Sequence, residues 1–186
     1  MANIQHPTII KFYGYSEISF DNTNCLTLIM DIAARGSLKN YLGEIKKDRN
    51  NPDFDNTPLQ IILIGISRGM MKLHEMKSMH RDLKIENVLL NEFNYPLIAD
   101  FGLSKILEDT SPKEQLKSVS SAIITAPEMI LGEKYTISVD VYAFGIILYE
   151  IVTNLQPYDG ISMYKIIEGV PKGLRPQIPE KTPNTF

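Results

Sequence analysis

The sequence predicts an α+β fold in which two strands precede a mostly helical body. Strand signals are concentrated in the first 32 of the 186 residues, where two runs are rich in β-branched and aromatic side chains. Two long apolar patterns then follow helical spacing, the first beginning at Thr57 and the second covering residues 137–153. We therefore expect a single domain that is organised around two long helices.

The N-terminal part contains two expected strands, residues 8–15 and 25–32. A polar stretch at 21–24 separates them and favours a turn, so the strands are predicted to pair antiparallel. A short helix is expected over residues 38–45, because Ser37 directly before it is a preferred N-cap residue.

The middle of the chain begins with its most polar segment, residues 46–56, which is predicted to be a surface loop. Thr57 followed by Pro58 is a helix start signal, a capping hydroxyl followed by a proline at the first helical position. The helix that follows has a wide apolar face, which we expect to lie in the core: Ile61, Ile62, Ile64, Met70, Met71 and Leu73.

A small hairpin is predicted next. Residues 88–90 and 97–99 are short apolar runs on either side of a turn-like sequence at 94–96. Residues 103–125 lack periodicity and are rich in serine, threonine and lysine, so we expect a mobile segment there.

The C-terminal part contains the second long helix. Thr136 is expected to cap residues 137–153, and the nearly all-round apolar surface of this helix predicts a central, buried position. A short helix near 162–168 and a proline-rich tail are expected after it. The apolar residues of the long helix are Val139, Val141, Phe144, Ile146, Ile147, Leu148 and Ile151.

Composition limits the classes of function. A net charge of −3 gives no sign of a surface that binds nucleic acid or an acidic membrane. The single cysteine, Cys25, excludes an internal disulfide and a cysteine cluster for a metal. The apolar stretches are short for a bilayer, and the N-terminus lacks the basic and apolar regions of a signal peptide. We therefore expect a cytoplasmic protein with no membrane segment and no nucleic-acid partner.

Three short motifs carry the polar chemistry. Residues 80–87 read His-Arg-Asp-Leu-Lys-Ile-Glu-Asn, and thirteen residues after Asn87 the chain reads Asp-Phe-Gly at 100–102. Ala-Pro-Glu follows at 126–128. Each motif alone is commonly a salt-bridged loop, an ordinary turn or a solvated segment. Their order and spacing together are what argue for a common site.

This order of motifs resembles that of protein kinases, in which the three runs are the catalytic loop, the metal-binding turn and the end of the activation segment. The resemblance covers nearly the whole chain. Residues 6–10 are similar to the entry into the fourth strand of a kinase, and residues 173–179 are similar to the tyrosine-kinase-like group. The implied fold is protein-kinase-like, a mostly helical large lobe with a two-strand remnant of the small lobe.

The resemblance also implies a reaction, the transfer of the γ-phosphoryl group of ATP, with Mg²⁺, to serine or threonine hydroxyls of a protein substrate. Asp82 would be the base beside the attacking hydroxyl, and Lys84 would neutralise charge on the transferring group. Asn87 and Asp100 would offer the oxygen ligands that magnesium prefers. The lysine at position 84 favours serine/threonine over tyrosine specificity.

The same resemblance implies where the nucleotide base would bind. Residues 28–33 look like the fifth strand and hinge of a kinase, with Met30 at the gatekeeper position. The backbone of Asp31 and Ala33 would pair with adenine, and Leu89 would lie beneath the base.

Regulatory residues are implied as well. Arg81 would bind a phosphate from the activation segment, where Ser118 and Ser121 are candidate hydroxyls. Four further residues would position the site: Phe101 and Gly102 in the metal-binding turn, Glu128 at the end of the activation segment, and Asp140 below the catalytic loop.

The resemblance assigns residues 1–32 to the end of the small lobe and the hinge, and residues 33–186 to a large lobe that lacks its last helices. It places the glycine-rich loop, the strand lysine and its glutamate partner upstream of Met1, so we expect the isolated chain to be impaired in catalysis. The alternative is an inactive kinase fragment that acts as a binding or interaction module. The protein substrate, the pathway and the oligomeric state stay open.

Overall fold

The computed structural model of the chain describes residues 4–50, 54–100, 105–106, 119–180 and 182. Most of its regular structure after residue 37 is helical, which agrees with the α+β prediction. Short 3₁₀ helices cover Asp48–Asn50 and Val170–Lys172. The strands and helices, in chain order, are β1 (Phe12–Ile18), β2 (Asn24–Met30), α1 (Leu38–Ile45), α2 (Thr57–Glu75), β3 (Ser78–Met79), β4 (Val88–Leu90), β5 (Pro96–Ile98), β6 (Lys105–Ile106), α3 (Val119–Ile124), α4 (Pro127–Ile130), α5 (Ser138–Thr153) and α6 (Met163–Gly169).

The described strands form three antiparallel pairs, β1–β2, β3–β6 and β4–β5. The two-strand N-terminal part and the β4–β5 hairpin are confirmed. β1 begins at Phe12 and not at residue 8, because Ile9 and Ile10 join the second hairpin instead. Ile9 forms a parallel bridge with Ile98, and the Ile10 N–H donates to the Ile98 carbonyl at 2.9 Å. The N-terminal strand segment is thereby attached to the large helical part.

Helix α1 has the predicted bounds and the predicted cap. The Ser37 hydroxyl accepts a hydrogen bond from the Asn40 N–H at 3.3 Å, which satisfies one of the free donors of the first turn. The helix buries Leu38, Tyr41 and Leu42 against the core.

The start of α2 differs from the prediction. Thr57 is the first helical residue and not the cap, and the Asp55 carboxylate accepts from its N–H at 2.8 Å. An ionised carboxylate is a stronger hydrogen-bond acceptor than a hydroxyl. Asp55, and not the predicted Thr57 hydroxyl, therefore accepts from a free N–H group at the start of the helix. The predicted core face was also too wide, since three of its residues are exposed: Ile61, Ile64 and Met71.

Two glycines allow α2 to pack closely against β5. A Cβ atom on Gly69 would lie 2.6 Å from Ile98 Cδ1 and 2.7 Å from the Thr8 hydroxyl oxygen, and one on Gly65 would collide with Pro96. This close approach fixes the β4–β5 hairpin on the helix. The segments on either side of the hairpin, which contain Asn87 and Asp100, are positioned with it.

Helix α5 begins one residue later than predicted. Thr136 still assists its start, because the Thr136 hydroxyl accepts from the Ser138 N–H at 3.3 Å. The helix is central but not buried on all sides, since Val141 and Leu148 are exposed. Its buried side meets α2 in the main core cluster, which includes Leu59, Ile62, Ile66, Leu73, Ala143, Ile146, Ile147 and Ile151.

The segment predicted to be mobile is described only in part. Within residues 103–125, Lys105–Ile106 is a strand and Val119–Ile124 is a helix, so those pieces are regular structure and not the irregular segment expected. Helix α6 agrees with the prediction, and the Ser162 hydroxyl accepts from the Lys165 N–H. Within the ranges that the structure describes, no helix is long and apolar enough to cross a membrane.

Candidate active site

Three of the predicted site residues meet in one loop between β3 and β4. The buried Asp82 carboxylate accepts a hydrogen bond from the Lys84 ammonium at 2.9 Å, through Oδ2. The Asn87 amide nitrogen donates to the same Oδ2 at 3.0 Å and to the Asp82 carbonyl at 2.8 Å. A carboxylate, an ammonium and an amide are therefore held together within hydrogen-bonding distance.

Asp140, in the first turn of α5, holds the start of this loop. Its side chain is 1% exposed, and it accepts from the His80 N–H at 2.9 Å and from the Arg81 N–H at 2.8 Å. The His74 Nε2 atom lies 2.8 Å from the same carboxylate, which links the end of α2 to the site. A buried carboxylate needs such partners, and here three groups from two segments supply them.

His80 connects the loop to the end of the β4–β5 hairpin. Its Nδ1 atom accepts from the Asp82 N–H at 3.3 Å, so Nε2 carries the proton and donates to the Ala99 carbonyl at 3.0 Å. Burial lowers the pKa of the fully enclosed imidazole, which favours this neutral form. Asp82 and the residue before Asp100 are thereby tied to one rigid ring.

Two non-glycine residues of the site have left-handed backbone conformations, Arg81 with φ 69° and Asp100 with φ 60°. Such conformations cost about 1 kcal/mol or more for residues with a Cβ atom, so the surroundings must hold them. The Asp140 carboxylate does this at the Arg81 N–H, and the Arg81 guanidinium lies 5.7 Å from the centre of the Tyr135 ring.

The residues expected to bind magnesium lie next to each other at one end of the β4–β5 hairpin, Asn87 just before β4 and Asp100 two residues after β5. The Ala99 N–H donates to the Asn87 carbonyl at 2.9 Å, which places Asp100 one residue beyond Asn87 across the hairpin. Because the Asn87 amide nitrogen points to Asp82, its oxygen is directed away from that carboxylate. Within the described ranges, no cluster of three histidine, cysteine or acidic residues could hold a metal by itself. The amide oxygen and the exposed Asp100 carboxylate are a donor pair that fits a hard cation shared with a phosphate.

The residues expected around the base lie between β2 and β4. The Asp31 N–H donates to the Lys11 carbonyl at 2.9 Å, and the Ala33 carbonyl accepts from the Gly36 N–H at 3.1 Å. Ala33 and Leu89 pack on the same small apolar cluster, whose buried members are Ile10, Leu97 and Ala99. Met30, at the end of β2, is 43% exposed.

Of the residues predicted to regulate the site, those of the activation segment lie largely outside the described ranges. Phe101, Gly102 and Ser118 lie outside the described residues, and Ser121 is described only as a helical position in α3. Glu128 accepts a hydrogen bond from the Ser138 hydroxyl at 2.9 Å. This partner was not predicted from the sequence.

Sequence reasoning also missed an acidic pair beside the loop. Glu86 lies within the first motif, and Glu150 is the one charged residue in the apolar second half of α5; that isolated charge was the available signal. Both line an open pocket of about 500 Å³ that adjoins Lys84. Burial, then the neighbouring charge of Glu86, raises the pKa of Glu150 to about 8, while Lys39 opposes the shift.

The comparison with known proteins identifies the family. The family model described as protein tyrosine and serine/threonine kinase matches residues 1–186, and the chain belongs to this family. The predicted kinase resemblance is thereby confirmed.

Named relatives support the serine/threonine branch. The chain is 36% identical over 184 residues to a probable serine/threonine-protein kinase of Dictyostelium discoideum, covering 98% of this chain and 19% of the relative. A second such Dictyostelium kinase is 32% identical over 182 residues, covering 97% and 13%. Mitogen-activated protein kinase kinase kinase 13-A of Xenopus laevis is 34% identical over 189 residues, covering 100% and 18%. The chain thus spans less than a fifth of the length of these relatives.

Proposed function

We propose that this chain is the catalytic part of a protein kinase that transfers the γ-phosphoryl group of ATP to serine or threonine hydroxyls of a protein. The observation that carries the proposal is the Asp82 carboxylate, buried and held by Lys84 and Asn87 on a loop that Asp140 anchors. Family membership and the names of the relatives support the same reaction.

Asp82 acts on the substrate hydroxyl. Its carboxylate accepts a hydrogen bond from the O–H, which directs a lone pair of the hydroxyl oxygen toward the γ-phosphorus, and it takes the proton as the new P–O bond forms and the bond from phosphorus to the ADP oxygen breaks. Lys84 contacts the same carboxylate at 2.9 Å, so its ammonium lies where negative charge develops on the transferring group. Little covalent chemistry falls to the protein, and the rigid loop supplies mainly position and charge.

Asn87 and Asp100 hold magnesium in this proposal, through the amide oxygen and the carboxylate. A magnesium ion supplies charge neutralisation at the phosphate oxygens when it is bound. The backbone of Asp31 and Ala33 and the side chains of Met30 and Leu89 surround the adenine. The apolar cluster on which Ala33 and Leu89 pack supports this placement of the base.

Regulation through the activation segment is part of the proposal. Arg81 binds a phosphate on that segment, and Ser118 is the first candidate hydroxyl, with Ser121 as an alternative. Phosphopeptide mapping of active enzyme tests this, and an unmodified segment contradicts it.

A cytoplasmic location is proposed on composition alone, and cell fractionation tests it.

The central test is Asp82→Asn, measured by phosphate transfer from labelled ATP to a serine-containing protein. The assay uses this chain and any longer form that its gene encodes upstream of Met1. Loss of the base is expected to reduce kcat by about a hundredfold or more, with ATP binding retained. Turnover that survives Asp82→Asn contradicts the mechanism. A longer form that neither binds ATP nor shows turnover favours the interaction-module function instead.

A further inference from the structure

An open pocket of about 500 Å³ lies beside the catalytic loop, where four segments meet. Helix α1 forms one wall, the loop after Asp82 another, and the ends of α3 and α5 complete it. Its charged and amide side chains come from three of these regions, α1 with the residue after it, the loop, and the end of α5 with the residues after it: Lys39, Lys46, Lys84, Glu86, Glu150, Asn154 and Gln156.

The pocket begins at the proposed base. Lys84 lines the pocket and its ammonium lies 2.9 Å from the Asp82 carboxylate. A polypeptide that presents a hydroxyl to Asp82 therefore carries its neighbouring side chains over the pocket. This step rests on the proposed function, since it assumes that the substrate is a polypeptide.

Glu86 is the residue of the pocket whose negative charge would attract a basic substrate side chain. Glu150 is largely buried, and burial, then the charge of Glu86, raises its pKa to about 8, so at neutral pH it is mainly the protonated acid. A cation is therefore favourable beside Glu86. The chain already provides one, because the Lys39 ammonium lies 3.0 Å from a Glu86 carboxylate oxygen and also acts on Glu150.

We propose that Lys39 is a specificity-determining residue. Its ammonium neutralises Glu86 as an internal cation, so the pocket accepts an uncharged substrate side chain and disfavours arginine or lysine. A guanidinium entering the pocket would have to displace Lys39 from Glu86 and would meet a second ammonium at Lys84. Like charges placed together are a common device for rejecting a competing ligand.

The Lys39 side chain can be changed without altering the backbone that carries it. Its N–H donates to the Ile85 carbonyl at 3.2 Å, and this bond between α1 and the catalytic loop is independent of the side chain. The ammonium itself is largely exposed, so its ion pair is weak and displaceable. The expected specificity effect is accordingly small, about two- to fivefold in affinity.

The test compares two sets of short serine peptides, one with an arginine scanned through the positions around the serine and one with glutamine in its place. Binding to the chain is measured without ATP by NMR titration. Wild type should show no preference for arginine. Lys39→Met should bind at least one arginine peptide about two- to fivefold more tightly than its glutamine partner. Lys39→Arg should behave like wild type.

Two further variants locate the effect. Lys172→Met removes a comparable exposed ion pair, with Glu168 at 2.7 Å, outside the pocket, and should leave peptide preference unchanged. Adding Glu86→Gln to Lys39→Met should abolish the gain. The proposal is overturned if Lys39→Met shows no arginine preference, if Lys172→Met shows the same one, or if no variant binds peptides. Because no step uses ATP, failure of phosphate transfer leaves this test intact.

Discussion

The catalytic loop and the β1–β2 hairpin are built in opposite ways. Around the loop, polar side chains are buried and held by several hydrogen bonds each, and Asp140 alone binds three groups. In the hairpin, aromatic and aliphatic side chains face solvent, with Tyr13 57% and Tyr15 64% exposed. The catalytic loop, which carries charged side chains, is buried, whereas the β1–β2 hairpin, which carries apolar side chains, is exposed to solvent.

This difference predicts that the catalytic loop is rigid and that the β1–β2 hairpin opens easily. A buried polar network is rigid when each member is satisfied, and costly when one partner is removed. The hairpin has few buried apolar contacts, which is the property of regions that open at low free energy. We therefore expect Asp82 and its anchor Asp140 to keep their geometry under conditions in which the β1–β2 hairpin already fluctuates. The adenine-binding segment that follows the hairpin should fluctuate with it.

The largest expected effect is that of Asp140→Ala. The substitution leaves the His80 and Arg81 N–H groups without this buried acceptor, which should reduce the free energy of unfolding by about 3 kcal/mol or more. Urea unfolding measures the change. Asp159→Ala, at an exposed carboxylate, should change stability by less than about 0.5 kcal/mol. Equal losses in the two variants would show that the loop does not depend on its anchor.

Next in size is Gly69→Ala, at the contact between α2 and β5. The added methyl group would lie 2.6 Å from Ile98 Cδ1, so overpacking should cost about 1–3 kcal/mol and outweigh the gain in helix propensity. Gly145→Ala in α5 is the matched control, because its Cβ meets nothing within 4 Å and should stabilise by about 0.5–1 kcal/mol. Stabilisation by both variants would contradict the close packing.

The fold was predictable where the signal lies within a few residues. Ser37 capped α1 as expected, and the turn at 94–96 predicted the β4–β5 hairpin. The β3–β6 pair could not be found, since each strand has two residues and its partner lies far along the chain. Exposed apolar residues such as Met71 were assigned to the core because exposure depends on tertiary neighbours, which helical spacing does not specify.

The candidate site also contains residues that were predictable from local sequence and residues that were not. Asp82, Lys84 and Asn87 were predictable as a group because one short loop carries them. The ion pair between Lys39 and Glu86 joins residues 47 positions apart, and neither side chain belongs to a recognisable pair in the sequence. Its existence follows from the packing of α1 against the loop.

A moderate, pH-dependent effect is expected at Glu150, on the edge of the enclosed region. Burial raises the pKa of Glu150 in the folded chain to about 8, so folding binds a proton that the unfolded chain releases above about pH 4.5. Glu150 therefore reduces stability progressively as the pH rises from about 4.5 to about 8.

Glu150→Gln should remove this dependence. Relative to wild type, the variant should gain little at about pH 5 and on the order of 1 kcal/mol at about pH 8, measured by urea unfolding. Glu168→Gln is the control, because its hydrogen bond to Lys172 lowers the pKa of that exposed carboxyl, so no gain with pH is expected. A flat difference between Glu150→Gln and wild type would contradict the raised pKa.

The smallest effect is expected in the hairpin, and it tests the comparison directly with a matched pair of tyrosines. The exposed Tyr13 hydroxyl donates to Asp31 at 2.6 Å, whereas the buried Tyr158 hydroxyl lies 3.1 Å from that of Tyr142. Water replaces a lost partner at an exposed site, so Tyr13→Phe should cost less than about 0.5 kcal/mol, and Tyr158→Phe about 1 kcal/mol. Urea unfolding of both variants measures the difference. A larger cost for Tyr13→Phe would mean that the hairpin is held as firmly as the enclosed region, and the expected order of local opening would be wrong.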